Sequence, residues 1–162
     1  MQPVVICQLL VLLMLANGTP VIAKKVFGDR YSYPLDCNLR FADGRPLFGR
    51  SKTFRGLALA VVATIAGAPL IGLSWKTGLL VGSLAMVGDL FSSFSKRRLN
   101  LPSSSRASGL DQIPESLFPL LACRQLMALA PIDIAVTVAV FFVGEVVLSR
   151  VLFAFRLRDR PY

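Results

Sequence analysis

No histidine occurs in this chain of 162 residues. Its absence removes imidazole acid–base catalysis, a Ser-His-Asp hydrolase and His-ligated zinc from the possible chemistries. Cysteine is sparse as well. Cys7, Cys37 and Cys123 are odd in number and far apart, which fits neither a disulfide framework nor a CxxC site, so three free thiols are expected. Acidic residues are half as many as basic ones, 9 against 18, giving a net charge of +9. A nucleic-acid binder would gather such an excess into one basic region. Here the cations alternate with long apolar blocks, and 54% of the residues are hydrophobic with a mean hydropathy of +0.63. The composition points to a membrane protein that handles anions, with no nucleic-acid partner.

Five apolar blocks read as membrane spans, over residues 4–23, 57–75, 77–94, 117–130 and 132–155. The fourth is short for a hydrocarbon core of about 30 Å, so it is expected either to begin within a thick polar vestibule or to extend back through residues 114–116, with Pro119 tolerated in its first turns. The first block lacks a basic residue before it and has Lys24 and Lys25 after it. That is the reverse of a signal peptide and favours a retained helix with its N-terminus outside. Basic residues test the topology: eight lie in 24–55, four in 96–116 and four at the C-terminal end, leaving only Lys76 and Arg124 elsewhere. Five spans with the N-terminus outside put all sixteen on the cytoplasmic side. The expected fold is an all-α integral membrane protein, one domain over 1–162, in which cytoplasmic loops at about 24–55 and 96–116 form a polar active-site cavity.

The most telling stretch is Gly88-Asp89-Leu90-Phe91-Ser92-Ser93-Phe94-Ser95-Lys96-Arg97-Arg98. On a helix at about 100° per residue, Ser93, Lys96 and Arg97 share a side with Asp89, and Ser92 flanks it. Gly78, Gly82 and Ala85 continue that side as small residues where another helix can approach closely. An ionisable group at membrane depth marks a functional site by default. The plainer alternative is a juxtamembrane basic cluster against anionic headgroups, with Asp89 as its counter-ion.

The first loop carries Asp43-Gly44-Arg45 and then Ser51-Lys52-Thr53-Phe54-Arg55-Gly56. Lys52, Arg55 and the N–H groups of a helix start can cradle phosphate, although the glycine spacing of a Walker A loop is missing and a plain positive-inside flank looks the same. The second loop, residues 99–113, is serine-rich and irregular, and delivers Leu110-Asp111-Gln112 and Glu115 to the fourth helix. Asp89 and Asp111 are thus carboxylates at neighbouring helix ends, suited to Mg²⁺ held jointly with substrate phosphates. Asp111 fits equally well as a helix N-cap or Asx-turn residue.

Taken together, Ala16-Asn17-Gly18-Thr19-Pro20, Pro34-Leu35-Asp36, the 43–56 run, Gly88-Asp89 to Lys96-Arg97-Arg98 and Leu110-Asp111-Gln112 resemble the CDP-archaeol synthase family, in its order, from about residue 16 to 116. The Gly88–Arg97 and Leu110–Gln112 pieces also resemble phosphatidate cytidylyltransferases, the broader relatives. The resemblance implies a membrane enzyme that transfers CMP from CTP to a lipid phosphate in phospholipid biosynthesis, releasing pyrophosphate and using Mg²⁺. It implies catalytic roles for Asp89, Lys96, Arg97 and Asp111, with Asp89 and Asp111 as the metal carboxylates. It further implies that Asn17, Lys52, Thr53, Arg55, Ser93, Arg98 and Gln112 bind nucleotide or phosphate. Arg50 stands where an acidic residue is expected and Phe54 where tryptophan is common. Residues 113–116 depart from the archaeal form. These departures suggest a bacterial-type member in the cell's inner membrane, its site facing the cytoplasm, which puts an archaeal lipid acceptor in doubt. A homo-oligomer is compatible with the family.

The reaction suits a chain without histidine. A lipid phosphate is already anionic near neutral pH and needs no strong base, and the difficulty lies in juxtaposing two polyanions. Two rivals stand beside it. Asp133 and Glu145 in the fifth span could mark the ion path of a small transporter or channel, although no inverted repeat is present. Alternatively, the basic loops could bind anionic lipid without catalysis.

Overall fold

A computed structural model describes residues 1–101 and 109–154, with side chains through Arg150. Arg106, Arg156, Arg158 and Arg160, which enter the basic-residue counts above, lie outside the described residues, as does the end of the fifth expected span. Among the described residues five helices are seen: α1 (Pro3–Phe27), α2 (Phe54–Leu70), α3 (Trp75–Arg98), α4 (Gln112–Cys123) and α5 (Pro131–Ala154). α1, α3 and the Pro131–Arg150 part of α5 are long and apolar enough to cross a membrane, whereas α2 is a shorter apolar helix. Cys7, Cys37 and Cys123 are free thiols.

Several boundaries differ from the apolar blocks. The Asn17–Pro20 interruption does not break α1. Pro20 sits inside the helix, and the Thr19 hydroxyl donates to the Leu15 carbonyl at 2.6 Å, which engages a backbone acceptor one turn before the proline. α2 stops at Leu70, one residue after Pro69, and a turn with Gly72 at φ +80° follows. Trp75 and Lys76 therefore belong to the first turn of α3. The Ser74 side chain caps that turn, accepting from Thr77 N–H at 3.2 Å. α4 starts five residues before the fourth apolar block and ends at Cys123, so Pro119 lies well inside it.

α3 is the hub, packing against α1, α2 and α4. Its small residues explain how α2 comes so close. A Cβ on Gly78 would sit 2.3 Å from the Thr64 carbonyl oxygen, and one on Gly82 would sit 2.0 Å from Thr64 Oγ1. The buried Thr64 hydroxyl is itself satisfied by the Ala60 and Val61 carbonyls. Ala85 is fully buried on the same side, so the stripe read from the sequence is a helix–helix seam.

At the end of the bundle opposite the 28–53 loop, α1 and α5 are joined through Asp133. Its carboxylate, 1% exposed, accepts from Gln2 N–H and Ala130 N–H, both at 3.1 Å. Asp133 therefore caps two helix starts at once, which accounts for a buried acid without an ion path. Replacing it with alanine strands two N–H groups and is expected to cost about 1–3 kcal/mol of stability. A lowered midpoint in a thermal melt of the detergent-solubilised protein checks this, with activity at low temperature retained.

Candidate functional site

The C-terminal end of α1, the 28–53 loop, the start of α2, the end of α3 and the start of α4 gather at one end of the bundle. There the loop delivers Lys52. Its carbonyl accepts from Leu35 N–H at 2.8 Å and its N–H donates to the Gly49 carbonyl at 3.2 Å. The ammonium contacts both carboxylate oxygens of Asp89 at 2.5 Å. Burial alone would lower the Lys52 pKa, but the Asp89, Glu115 and Asp111 carboxylates outweigh burial and hold it above its ordinary value. Lys52 is accordingly a fixed cation at physiological pH.

The second connection runs from α3 to α4. Lys96 Nζ lies 2.7 Å from Asp111 Oδ1, with the side chains 11% and 22% exposed. Ser92 Oγ lies 2.9 Å from the Gly88 carbonyl and 3.4 Å from that of Asp111. α4 can approach because Gly88 has no side chain: a Cβ there would meet the Pro114 carbonyl oxygen at 2.3 Å and Glu115 Cα at 2.7 Å. Glu115, 7% exposed, is thereby brought beside Asp89. Arg97 is also buried, with Asp111 as an electrostatic neighbour, and Ser93 lies buried on the same helix side. Three carboxyls (Asp89, Asp111 and Glu115) thus face three cations (Lys52, Lys96 and Arg97).

Other expected ligands are engaged elsewhere. Thr53 caps α2, its hydroxyl accepting from Gly56 N–H at 3.2 Å. Gln112 Oε1 accepts from Gly109 N–H at 3.0 Å. Arg55 donates to the Gly28 and Arg30 carbonyls, tying the end of α1 to α2. Arg98 is a strut. It pairs with Asp43 at 2.6 Å, donates to the Pro46 carbonyl at 2.7 Å and lies over the rings of Phe41 and Phe94. Asn17 lies about as far from the loop end of α1 as Asp89 does from that of α3, and its buried Nδ2 has no hydrogen-bond partner.

A family model described as CarS-like, CDP-archaeol synthase, matches residues 69–162. The CDP-archaeol synthase of Pyrobaculum arsenaticum is 36% identical over 130 residues, 77% of each chain. The chain belongs to the CDP-archaeol synthase family. The CDP-archaeol synthase of Pyrobaculum calidifontis is 43% identical over 111 residues, covering 65% of this chain and 66% of that one. That of Sulfurisphaera tokodaii is 32% identical over 155 residues, covering 92% of this chain and 90% of that one. A solved structure, described as an intramembrane enzyme for archaeal membrane lipids biosynthesis, superposes with a TM-score of 0.63 at 25% identity, covering 85% of this chain and 90% of that one.

The relatives correct one expectation. They are archaeal, so the departures at Arg50, Phe54 and 113–116 do not mark a bacterial-type member. The structure gives the physical reason for two of them. Arg50 and Phe54 are exposed, where exchange is cheap.

Glu115 is the site residue that the sequence reading left outside the set. Its signal was there: it follows Asp111 by four residues, one helical turn further along α4. Among the described residues no group of three His, Cys, Asp or Glu side chains is disposed to hold a metal ion on its own. Mg²⁺ needs no such cage, because it is commonly held by one or two carboxylates together with substrate phosphates. Asp89 and Asp111 fit that role, each a carboxylate whose present partner is a lysine that a polyphosphate can draw off.

Proposed function

We propose that the protein transfers CMP from CTP to the phosphate of a membrane lipid, giving a CDP-lipid and pyrophosphate. The observation that carries this reading is the convergence of three separate runs, at Lys52, Asp89–Arg97 and Asp111, into one cluster of alternating carboxylates and cations. An oxygen of the lipid phosphate attacks the α-phosphorus of CTP, and the bond from that phosphorus to the β-phosphate bridging oxygen breaks. Lys52, Lys96 and Arg97 neutralise the triphosphate and hold it beside the acceptor, so the chain supplies position and charge rather than a base. Asp89 and Asp111 would hold Mg²⁺, which supplies charge neutralisation on the phosphates. The unpartnered Asn17 amide donor is available to the nucleotide from the α1 side.

In this reading the loop end faces the cytoplasm, the N-terminus is outside and all five helices are membrane-embedded. The basic residues gathered in segments adjoining the loop end support that orientation. α2 and α4 are short, and a locally thinned bilayer accommodates them. The product named for the relatives makes an archaeol-type lipid phosphate the first acceptor to try. Purified protein in nanodiscs should convert labelled CTP and that acceptor into a CDP-lipid and pyrophosphate. Failure with every ether- and ester-linked lipid phosphate tried, together with ion flux in liposomes, would replace the enzyme by a channel.

A further inference from the structure

The loop of residues 28–53 has almost no regular structure, yet it must aim one lysine at one carboxylate on α3. A chain of that length ordered by its own backbone alone would lose much conformational entropy with little to offset it. Its organisation converges on a residue to which no role has been attached. Asp36 is 4% exposed and its carboxylate accepts three backbone N–H groups. Asn38 N–H is 3.1 Å from Oδ1, while Phe48 N–H and Gly49 N–H are 3.2 and 2.9 Å from Oδ2. The first bond closes the turn in which Cys37 and Asn38 take positive φ. The other two reach across the loop to its returning arm.

That returning arm carries Lys52. Pro34 and Thr53 form an antiparallel bridge, with Leu35 N–H donating to the Lys52 carbonyl at 2.8 Å and Phe54 N–H to the Tyr33 carbonyl at 3.2 Å. Between this rung and Asp36 lies a tight turn. Gly49, at φ +91°, accepts from Lys52 N–H at 3.2 Å, so fixing Gly49 fixes where Lys52 leaves the loop. The loop tip is anchored separately, by Arg98 on Asp43 and by Arg45 on the Arg98 carbonyl at 2.7 Å. Asp36 therefore ties the two arms together on the Lys52 side of the tip.

We propose that Asp36 is a positioning residue that holds the Gly49–Lys52 turn in the register from which Lys52 reaches the reaction site. A carboxylate suits the task because it is acceptor-only, with lone pairs enough for three donors. An asparagine in its place must point its amide donor either at Asn38 N–H or at Phe48 and Gly49, so it keeps only one side of the clamp. Burial works against the Asp36 charge, yet the N–H groups of Gly49, Phe48 and Asn38 outweigh it and hold its pKa below the usual carboxylate value. The clamp is then fully formed at neutral pH and is lost only as pH falls through that lowered value.

The kinetic half of the test rests on the cytidylyl-transfer reading, and the labelling half does not. In the full chain, Asp36→Ala is expected to lower kcat/KM for CTP by at least about tenfold, but by less than about twofold when Lys52 is already alanine, because residues acting through one another are not additive. Multiplying losses overturn the proposal. In parallel, a water-soluble amine-reactive ester applied to the detergent-solubilised protein reports Lys52 directly by mass spectrometry. With the milder Asp36→Asn variant, Lys52 should react several-fold faster while Lys96, held on α3, keeps its rate. An unchanged Lys52 rate, or equal acceleration at both lysines, shows that Asp36 does not act on Lys52 in particular. A wild type that turns over no CTP but keeps the selective labelling response removes the enzymatic reading and leaves the positioning role standing.

Discussion

Asp89→Asn is expected to leave a folded protein whose CMP transfer has fallen by about 10²- to 10⁴-fold, the range for losing a charged group that acts at developing phosphate charge. The replacement is nearly isosteric, so packing on α3 and the approach of α4 at Gly88 stay as they are. What disappears is the negative charge that binds both Lys52 and, in the proposed reaction, Mg²⁺. Removing one partner of a buried ion pair ordinarily costs about 3–5 kcal/mol, because the other charge is stranded. Here the cost is smaller, since Glu115 and Asp111 stay within electrostatic range of the Lys52 ammonium. The wild-type pair also has a definite pH signature. The Lys52 pKa is raised, so its contribution is complete below the lysine reference value of about 10.4 and fades only as pH climbs through the higher folded value. Thermal midpoints of the wild type should therefore show no loss from this pair between about pH 6 and 9. Initial rates against Mg²⁺ concentration, measured beside a thermal melt, separate catalysis from folding. A variant with undiminished Mg²⁺-dependent turnover would remove Asp89 from the metal role.

The number of helices could be read from hydropathy, because each apolar block is bounded by loops with turn residues and charges. Their ends could not. Ile71-Gly72-Leu73-Ser74 is mostly apolar in composition, and only the positive φ at Gly72 and the Ser74 cap make it a turn. The close seam on α3 could be read from the spacing of Gly78, Gly82 and Ala85, since small residues one turn apart have few other uses in an apolar helix. Site residues on α3 and α4 were also visible as polar groups out of place. The loop was harder. Charge alone does not tell whether an arginine meets a phosphate or a carbonyl, so Arg55 and Arg98 could not be told from Lys52 until their partners were seen. Asp36 gave no signal as an organiser, because the two partners that tie the loop's arms together are backbone groups twelve and thirteen residues away, and the third, at Asn38, makes only a local turn. Backbone donors at that distance have no residue type to look for.

Gly88→Ala carries the other large expectation, a fall in kcat/KM beyond about a hundredfold together with a lower thermal midpoint. Taken by itself the substitution favours the helix, since alanine is about 1 kcal/mol better than glycine in a helix interior. Its destabilisation therefore has to come from tertiary contact, which makes the sign informative. The added Cβ meets the Pro114 carbonyl oxygen at 2.3 Å, the Pro114 carbonyl carbon at 2.5 Å and Glu115 Cα at 2.7 Å. All three are backbone atoms in the first turn of α4, which cannot rotate aside as a side chain could. Either α4 moves or α3 bends, and overpacking of this kind costs about 1–3 kcal/mol or more. The same displacement reaches three site contacts together: Ser92 with the Asp111 carbonyl, Lys96 with the Asp111 carboxylate, and Glu115 with Asp89. A shift of about 1 Å at groups that must align with phosphates is enough for a hundredfold loss. Gly18→Ala supplies the control for stability, because a Cβ there has nothing within 4 Å and should leave the melt unchanged or raise it. If Gly88→Ala behaves like Gly18→Ala, the α3–α4 seam does not set the site, and the link from a bare backbone at 88 to the placement of Asp111 fails.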